Sequence, residues 1–341
     1  MSRILAVTAG LAAKRNTMCE ALREVFGAEV LSGKACAEGR ADRLWRKLGL
    51  AERLGTHARN LALLNRAILD RAVQFDFLFV VKGNFVTADT LRVLKDQPSP
   101  PRIVGWSCDD IYLPHNNSQV LRAAAPFYDV FYTAKSLNIT QGELAQMGFA
   151  DARFLHQGFD REIHRPVPNS ESSFVGKVTF VGYGEMDRFN KMNHLAANGI
   201  EVHVWGHGWT KRMLQKAHAN LKIHTHGLFG NDYADALCNS AISLCFLRKL
   251  NRDLHTSRTF EIPACGGFML AERTDEHREY FKEDAEAVYF DDAEELLAKI
   301  CHYLDRPTER VRIAAAGRQR CLDSDYSYHR LARDIIQNSG A

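Results

Sequence analysis

Short apolar runs alternate with stretches of helical period along the whole chain. Residues 3–8 (RILAVT) form the first run and read as a strand. An amphipathic stretch follows to Phe26, then a second short strand at 28–31. Between 40 and 73, Leu44, Leu48, Leu54, Leu61, Leu64 and Ile68 recur near helical spacing. Strand-like runs at 77–82 (FLFVVK), 102–106 (RIVGW), 130–133 and 153–155 continue the pattern, with a helix over 87–95. Residues 161–177 (REIHRPVPNSESSFVGK) break it: they are polar, hold two Pro and three Ser, and read as a linker. The rhythm then restarts with strands at 177–181, 201–205, 221–224, 242–246, 268–271 and 287–290. Helices over 293–304, 308–322 and 327–337 end the chain. The alternation predicts an α/β chain of two Rossmann-like, doubly wound parallel domains. The expected bounds are 1–163 and 172–325, with 326–341 a helix that packs back on the first domain. The halves share a rhythm but no recognisable repeat. Such domains bind ligands at the carboxyl ends of their strands, here in a cleft expected between the two.

Composition narrows the class. In 341 residues, 46% are hydrophobic and 25% charged, which excludes a disordered or collagen-like chain. No apolar run approaches the ~18 residues of a membrane helix, and the N-terminus lacks the order of a signal peptide. The formal charge of +3 is too even to imply nucleic acid. Eight Cys are scattered without a C-x-x-C pair, so neither a zinc site nor a disulfide framework is suggested. A reduced, cytoplasmic enzyme without a metal or other cofactor is the expectation.

The candidate chemistry concentrates in 247–271 (LRKLNRDLHTSRTFEIPACGGFMLA). This loop leaves the carboxyl end of a predicted strand and leads into a short helix. Asn251, Thr256, Ser257 and Arg258 crowd its start, and Glu261 lies in its first turn. Free N–H groups at a helix start, with hydroxyls and an arginine, suit an anion. A carboxylate one turn in can accept hydrogen bonds from a ribose diol. The plain alternative is that Glu261 complements the helix dipole and Arg258 is its solvated partner.

The segment FEIPACGGFML and the acidic stretch after it resemble the C-terminal domain of the CgeB-like glycosyltransferases. More distantly they resemble the GT-B class that carries an E-x7-E motif. VTFVGYGEMDR, EVHVWGHGW and IHTHGLFGNDYADALCNSAISLCF fit the same domain, while FDFLFVVKGNFVTADTLRVLK and RIVGWSCDD match less sharply. The resemblance implies a GT-B fold and transfer of sugar from a nucleotide-diphospho-sugar, without a metal and with retention. A UDP-type donor is favoured, with GDP or dTDP as alternatives. The acceptor would be a glycan, a lipid-linked glycan or a protein. The second motif acid falls on Glu261, which would bind the ribose. The first, with seven residues between, falls on Asp253, an Asp where the class carries Glu, and would contact the sugar. Arg258 would hold the diphosphate, with Thr256 and Ser257 as hydroxyl donors. Gly182, Tyr183, Gly184 and Arg188 match the first turn of the donor domain, and His226, Gly227 and Leu228 the loop framing the base. A non-catalytic nucleotide- or sugar-binding protein and a sugar-nucleotide epimerase are the alternatives on this fold.

Other signals are weaker. Val181–Gly184 makes a poor dinucleotide fingerprint, because Asp187 stands where a third glycine belongs. His224 and His226 lack a third metal ligand nearby. Asp109 and Asp110 follow a strand, and a like-charged pair can raise one pKa toward that of a general base, the role given to Asp110. The pair could instead bind a divalent ion or form a plain turn. Lys82 and Gly10 also follow strands and are placed with Asp109 and Asp110 on the acceptor side. Gly10, with Lys14 and Arg15, would approach the diphosphate. The basic run at 40–71 could meet anionic lipid at the inner face of a membrane, although such runs are more often solvated faces.

Overall fold

The computed structural model describes residues 2–9, 16–33, 56–169 and 171–340. It divides into two compact units. One holds the chain up to His156 together with the segment from Tyr328 onward; the other is Gln157–Ser327.

The first unit is a six-stranded parallel sheet in the order β2-β1-β3-β4-β5-β6. Its strands are β1 (Ile4–Thr8), β2 (Glu29–Ser32), β3 (Phe77–Val81), β4 (Arg102–Ser107), β5 (Val130–Thr133) and β6 (Ala152–Phe154). β1 and β3 are buried at every position, because helices cover both faces of such a sheet. Leu5, Val7, Leu78 and Val80 turn to one face, where the helices Thr56–Ala72 (α2) and Ala88–Lys95 (α3) pack. Ile4, Ala6, Phe77 and Phe79 turn to the other, against Thr17–Phe26 (α1) and the final helix Tyr328–Asn338. That final helix packs along α1. Its apolar face, Leu331, Ala332, Ile335 and Ile336, is buried, as its i, i+4 spacing requires.

The second unit repeats the architecture in the order β12-β11-β10-β7-β8-β9. Here β7 is Val178–Val181, β8 Val202–Trp205, β9 Leu221–His224, β10 Ile242–Cys245, β11 Met269–Glu272 and β12 Val288–Phe290. The strand order reverses between β7 and β10, which are direct neighbours. In an open parallel sheet that reversal opens a crevice at the carboxyl ends, because the two following connections leave on opposite sides. The chain segments leaving β7 and β10 carry the candidates at 182–188 and 251–261. No helix among the described residues is long and apolar enough to cross a membrane.

Candidate active site

The segment after β7 is Gly182-Tyr183-Gly184-Glu185, and it leads into the helix Met186–Ala197. Gly182 donates its N–H to the Trp205 carbonyl at 2.9 Å, and Gly184 to that of His207 at 2.8 Å. A β-carbon on Gly184 would lie 2.8 Å from the backbone of Gly208 and Trp209, so only glycine allows this approach. Arg188 sits in the first turn of the helix and is 2% exposed. Its guanidinium donates to the carbonyls of Tyr183 (2.9 Å), Leu247 (3.3 Å) and Phe246 (3.4 Å). It thus ties the end of β7 to the end of β10. Arg188 also lies over the Phe180 ring, 5.5 Å from its centroid. Burial, and then the charge of Arg258, pulls its pKa down to about 10.

The loop after β10 closes on itself through Asp253. One carboxylate oxygen accepts from Asn251 Nδ2 at 2.8 Å, the other from the Arg248 N–H at 3.2 Å. Arg252 takes a left-handed conformation (φ 46°) to make the turn. Asn251 is buried, so its amide holds Asp253 in place. Arg248 reaches across to Glu185 at 2.7 Å and lies over the Tyr183 ring. Glu272, at the end of β11, accepts from the Leu247 N–H at 2.7 Å and pairs with Lys191 at 3.1 Å.

The helix that follows is Arg258–Ala264, two turns long with Pro263 inside it. The free N–H groups expected at its start are mostly committed within the protein. The Arg258 N–H donates to Thr256 Oγ1 at 3.2 Å, and those of Thr259, Phe260 and Glu261 go to the carbonyls of Thr256 and Ser257. So short a helix also has little dipole to offer. Thr256 donates its own N–H to Thr259 Oγ1 at 3.0 Å, and Thr259 bonds His277 Nε2 at 2.8 Å. His277 Nδ1 faces the Glu272 carbonyl at 2.6 Å, which puts the ring proton on Nδ1. Burial brings the pKa of His277 down to about 4 and keeps the ring neutral. Thr256 is therefore part of a buried chain that fixes the helix start, and Ser257 beside it is the more accessible hydroxyl.

Arg258 differs from every arginine around it. Its guanidinium lies over Phe180, 5.6 Å from the ring centroid. Its Nε is buried without a hydrogen-bond partner. Among the described residues, no carboxylate stands within ion-pair distance of it. Burial pulls its pKa down, but the acidic groups around it (Tyr233, Cys245, Glu261 and Asp253) outweigh that and hold it above the ordinary value. It is a permanent cation with donors to offer.

Glu261 lies one turn into the helix and is mostly buried. Tyr233, on the helix Gly230–Asn239, donates its hydroxyl to Glu261 Oε2 at 2.6 Å. Burial, then the charge of Glu261, pushes the Tyr233 phenol well above its ordinary pKa, so it remains a donor. His164 Nε2 stands 3.8 Å from Oε1. Its Nδ1 accepts the Asp160 N–H at 2.9 Å, which leaves the ring proton on the nitrogen facing Glu261. Neither Tyr233 nor His164 was singled out from the sequence. Leu228 packs with Tyr233 on a cluster of Phe174, Val181, Trp205 and Ala236. His226 is exposed, with its ring edge-on to His224, and Gly227 lies under the exposed Phe229 ring.

In the first unit, Lys82 has a left-handed backbone (φ 64°) at the end of β3, and its ammonium pairs with Asp109. Asp110 is fully buried. Its carboxylate accepts from Asn138 at 2.8 Å and from the Tyr112 N–H at 3.2 Å. Asn138 also bonds Glu143 and Thr133. That is the geometry of a buried Asp turn, and Asp109 is the more accessible member of the pair. Gly10, Lys14, Arg15 and residues 40–55 of the basic run lie outside the described residues.

Residues 189–337 match the family model described as glycosyl transferase-like. No curated protein matches the chain. Among solved structures, the Anabaena protein Alr3699/HepE in complex with UDP and glucose superposes with a TM-score of 0.66 at 14% identity, covering 99% of each chain. Sucrose-phosphate synthase from Thermosynechococcus elongatus superposes at 0.67 and 11% identity, over 99% of this chain and 98% of that one. The trehalose-6-phosphate synthase OtsA does so at 0.68 and 11%, over 99% of each. The shared architecture is GT-B, two parallel six-stranded sheets with flanking helices. With a glycosyl transferase-like match over most of the unit that holds Arg258, Asp253 and Glu261, the chain is an enzyme of the glycosyltransferase class.

Proposed function

We propose that the protein is a metal-independent, retaining GT-B glycosyltransferase of the CgeB-like kind. In this reading it moves a sugar from a nucleotide-diphospho-sugar, UDP-linked in the first instance, to a glycan, lipid-linked glycan or protein. The observation that carries the proposal is Arg258, an arginine at the switch point of the sheet with a buried Nε that, among the described residues, has no partner and no carboxylate within ion-pair distance. An unpaired guanidinium is costly for a fold to hold, and an incoming diphosphate supplies the missing acceptors. HepE, which shares the fold, has been crystallised with UDP and with UDP-glucose, which supports the choice of donor.

Each residue then has a distinct task. As the glycosidic bond breaks, negative charge grows on the leaving diphosphate. Arg258 offsets it, assisted by the Ser257 hydroxyl, where a metal ion would serve in other enzymes. Arg188 engages the carbonyls of Tyr183, Phe246 and Leu247, so their lone pairs do not confront the anion. Asp253, held by Asn251 and the Arg248 N–H, is directed to the sugar. Glu261, with Oε2 taken by Tyr233, offers its other oxygen to the ribose diol. Release of UDP from UDP-glucose, measured with and without chelator, tests the proposal. Equal rates in chelator support it. A rate that vanishes in chelator and returns with manganese removes the metal-independent mechanism. Absence of binding to UDP, GDP and dTDP alike removes the nucleotide-sugar donor.

A further inference from the structure

The second unit carries a further feature at the opposite ends of its strands. A cavity of about 450 Å³ opens beside the residues that precede β7, β10 and β11, and Val175, Phe268 and Ala314 give it a largely carbon wall. A second cavity of about 330 Å³ adjoins it, and the two share Pro166 and Arg318. The larger volume falls in the usual range for small-molecule sites. Gly266 (φ 77°) lies between Arg318 and Pro166; a β-carbon there would touch both.

The charge in these cavities is one-sided. Arg318 has its Nε buried without a hydrogen-bond partner, and among the described residues no carboxylate lies within ion-pair distance of it. Arg310 lines the larger cavity and gives one nitrogen to the carbonyls of Tyr303 and Leu304. Burial lowers its pKa, as expected of a cation without an anion beside it. Arg165 lines the smaller cavity. Among the described residues, the one acid lining either is Asp325, already held by Arg161 at 2.6 Å and by the Ser327 hydroxyl at 2.6 Å.

We infer that this rear cavity binds a phosphate monoester carrying an apolar group, with Arg318 gripping the phosphate and the apolar group lying against Val175, Phe268 and Ala314. Guanidinium donors match phosphate oxygens in pairs, and the carbon of Val175, Phe268 and Ala314 suits the apolar group. The site is separate from the donor site and does not depend on the function proposed above.

Calorimetry on the full chain, with hexyl phosphate as the probe, tests it. Wild type should bind hexyl phosphate saturably, and equally well with UDP present. Arg318→Gln should weaken that binding about ten- to hundredfold, the worth of hydrogen bonds to a charged group, and leave UDP affinity unchanged. Ala315→Trp, at an exposed position on the rim, should block the cavity with the same effect and carries the test if Arg318→Gln does not fold. Sedimentation with vesicles containing phosphatidic acid separates the sources. Arg318-dependent sedimentation identifies a lipid headgroup, and hexyl phosphate binding without it identifies a soluble ester. No saturable binding by wild type, competition by UDP, or unchanged affinity in both variants overturns the inference.

Discussion

Arg258→Met separates a binding arginine from a structural one, because the two roles predict opposite effects on stability. Among the described residues the guanidinium makes no ion pair, and its Nε is buried and unbonded. Such an orphaned donor costs a fold about 1–3 kcal/mol. Two cations also share one ring, with Arg188 and Arg258 at 5.5 and 5.6 Å from the Phe180 centroid. Their repulsion contributes, after burial, to the lowered pKa of Arg188. Against these costs stands a cation–π contact worth up to about 2 kcal/mol at a buried site. Methionine keeps most of the packing volume and removes the charge. The folded protein should hold its stability or gain about 1 kcal/mol, which is ~2–4 °C in Tm for a unit of this size. Donor binding should move the other way. One or two charge-assisted hydrogen bonds to the diphosphate, each worth about 1.5–3 kcal/mol, amount to at least a tenfold loss in UDP affinity. Uridine, which lacks the diphosphate, should bind as before. Turnover should fall further than affinity, because the charge on the leaving group grows toward the transition state. Thermal unfolding and calorimetry with UDP and uridine supply both halves. A Tm lowered by several degrees with unchanged UDP affinity would refute the reasoning and make Arg258 a packing residue.

Glu261→Gln should weaken UDP about tenfold and erase the preference of the wild type for UDP over 2′-deoxy-UDP; a variant that keeps that preference rules out the ribose contact. Asp253→Asn should lower affinity for UDP-glucose relative to UDP, and an unchanged ratio with full turnover removes Asp253 from the sugar site. His277 titrates near 4 in the fold and near its ordinary 6.5 when unfolded, so between these values the unfolded chain binds the extra proton. Its contribution, about 3 kcal/mol, is fully present above pH 6.5 and lost as pH falls toward 4. Urea midpoints for wild type and His277→Gln should therefore converge over that window, and parallel curves count against it. Gly184→Ala forces a β-carbon against the backbone of Gly208 and Trp209; it should destabilise by about 1–3 kcal/mol, and an unchanged urea midpoint would contradict the close approach.

Much of the fold was legible because parallel strands buried on both faces leave unbroken apolar runs. FLFVV at 77–81 and RIVGW within Arg102–Ser107 are such runs, and both lie in the sheet where their spacing suggests. Short helices were harder to read. Ser136–Thr140, Glu143–Gln146 and Lys211–Lys216 span too few residues for a helical period to show. Burial within a pair was also hidden. Asp109 and Asp110 are chemically identical neighbours, and only the turn that points Asp110 at Asn138 distinguishes them. Tyr233 is one aromatic on an ordinary amphipathic helix, and it becomes informative through a bond to a residue 28 positions away. His164 falls in the stretch read as a linker, whose polar composition conceals a turn built on Asp160.

The sharpest limit of sequence reading concerns the state of each donor rather than its identity. The resemblance places both Arg188 and Arg258 on the donor side, one at the first turn of the donor domain and the other in the segment after β10. In the structure, Arg188 has committed donors to three carbonyls and cannot turn them to a ligand without releasing the ends of β7 and β10. Among the described residues, the Arg258 Nε has no partner to release. The same distinction separates Thr256, bound into the chain that ends at His277, from the neighbouring Ser257. A charged or hydroxyl group is ready for a ligand when the fold has left its hydrogen bonds unmade, and the fold tolerates that cost at few places. By that criterion the switch point of the second sheet divides its labour. Arg188 and Thr256 hold the frame, and in the proposed function Arg258 and Ser257 are the groups that would meet the ligand. Substituting the first pair should cost stability before it costs affinity, and substituting the second pair should reverse that order.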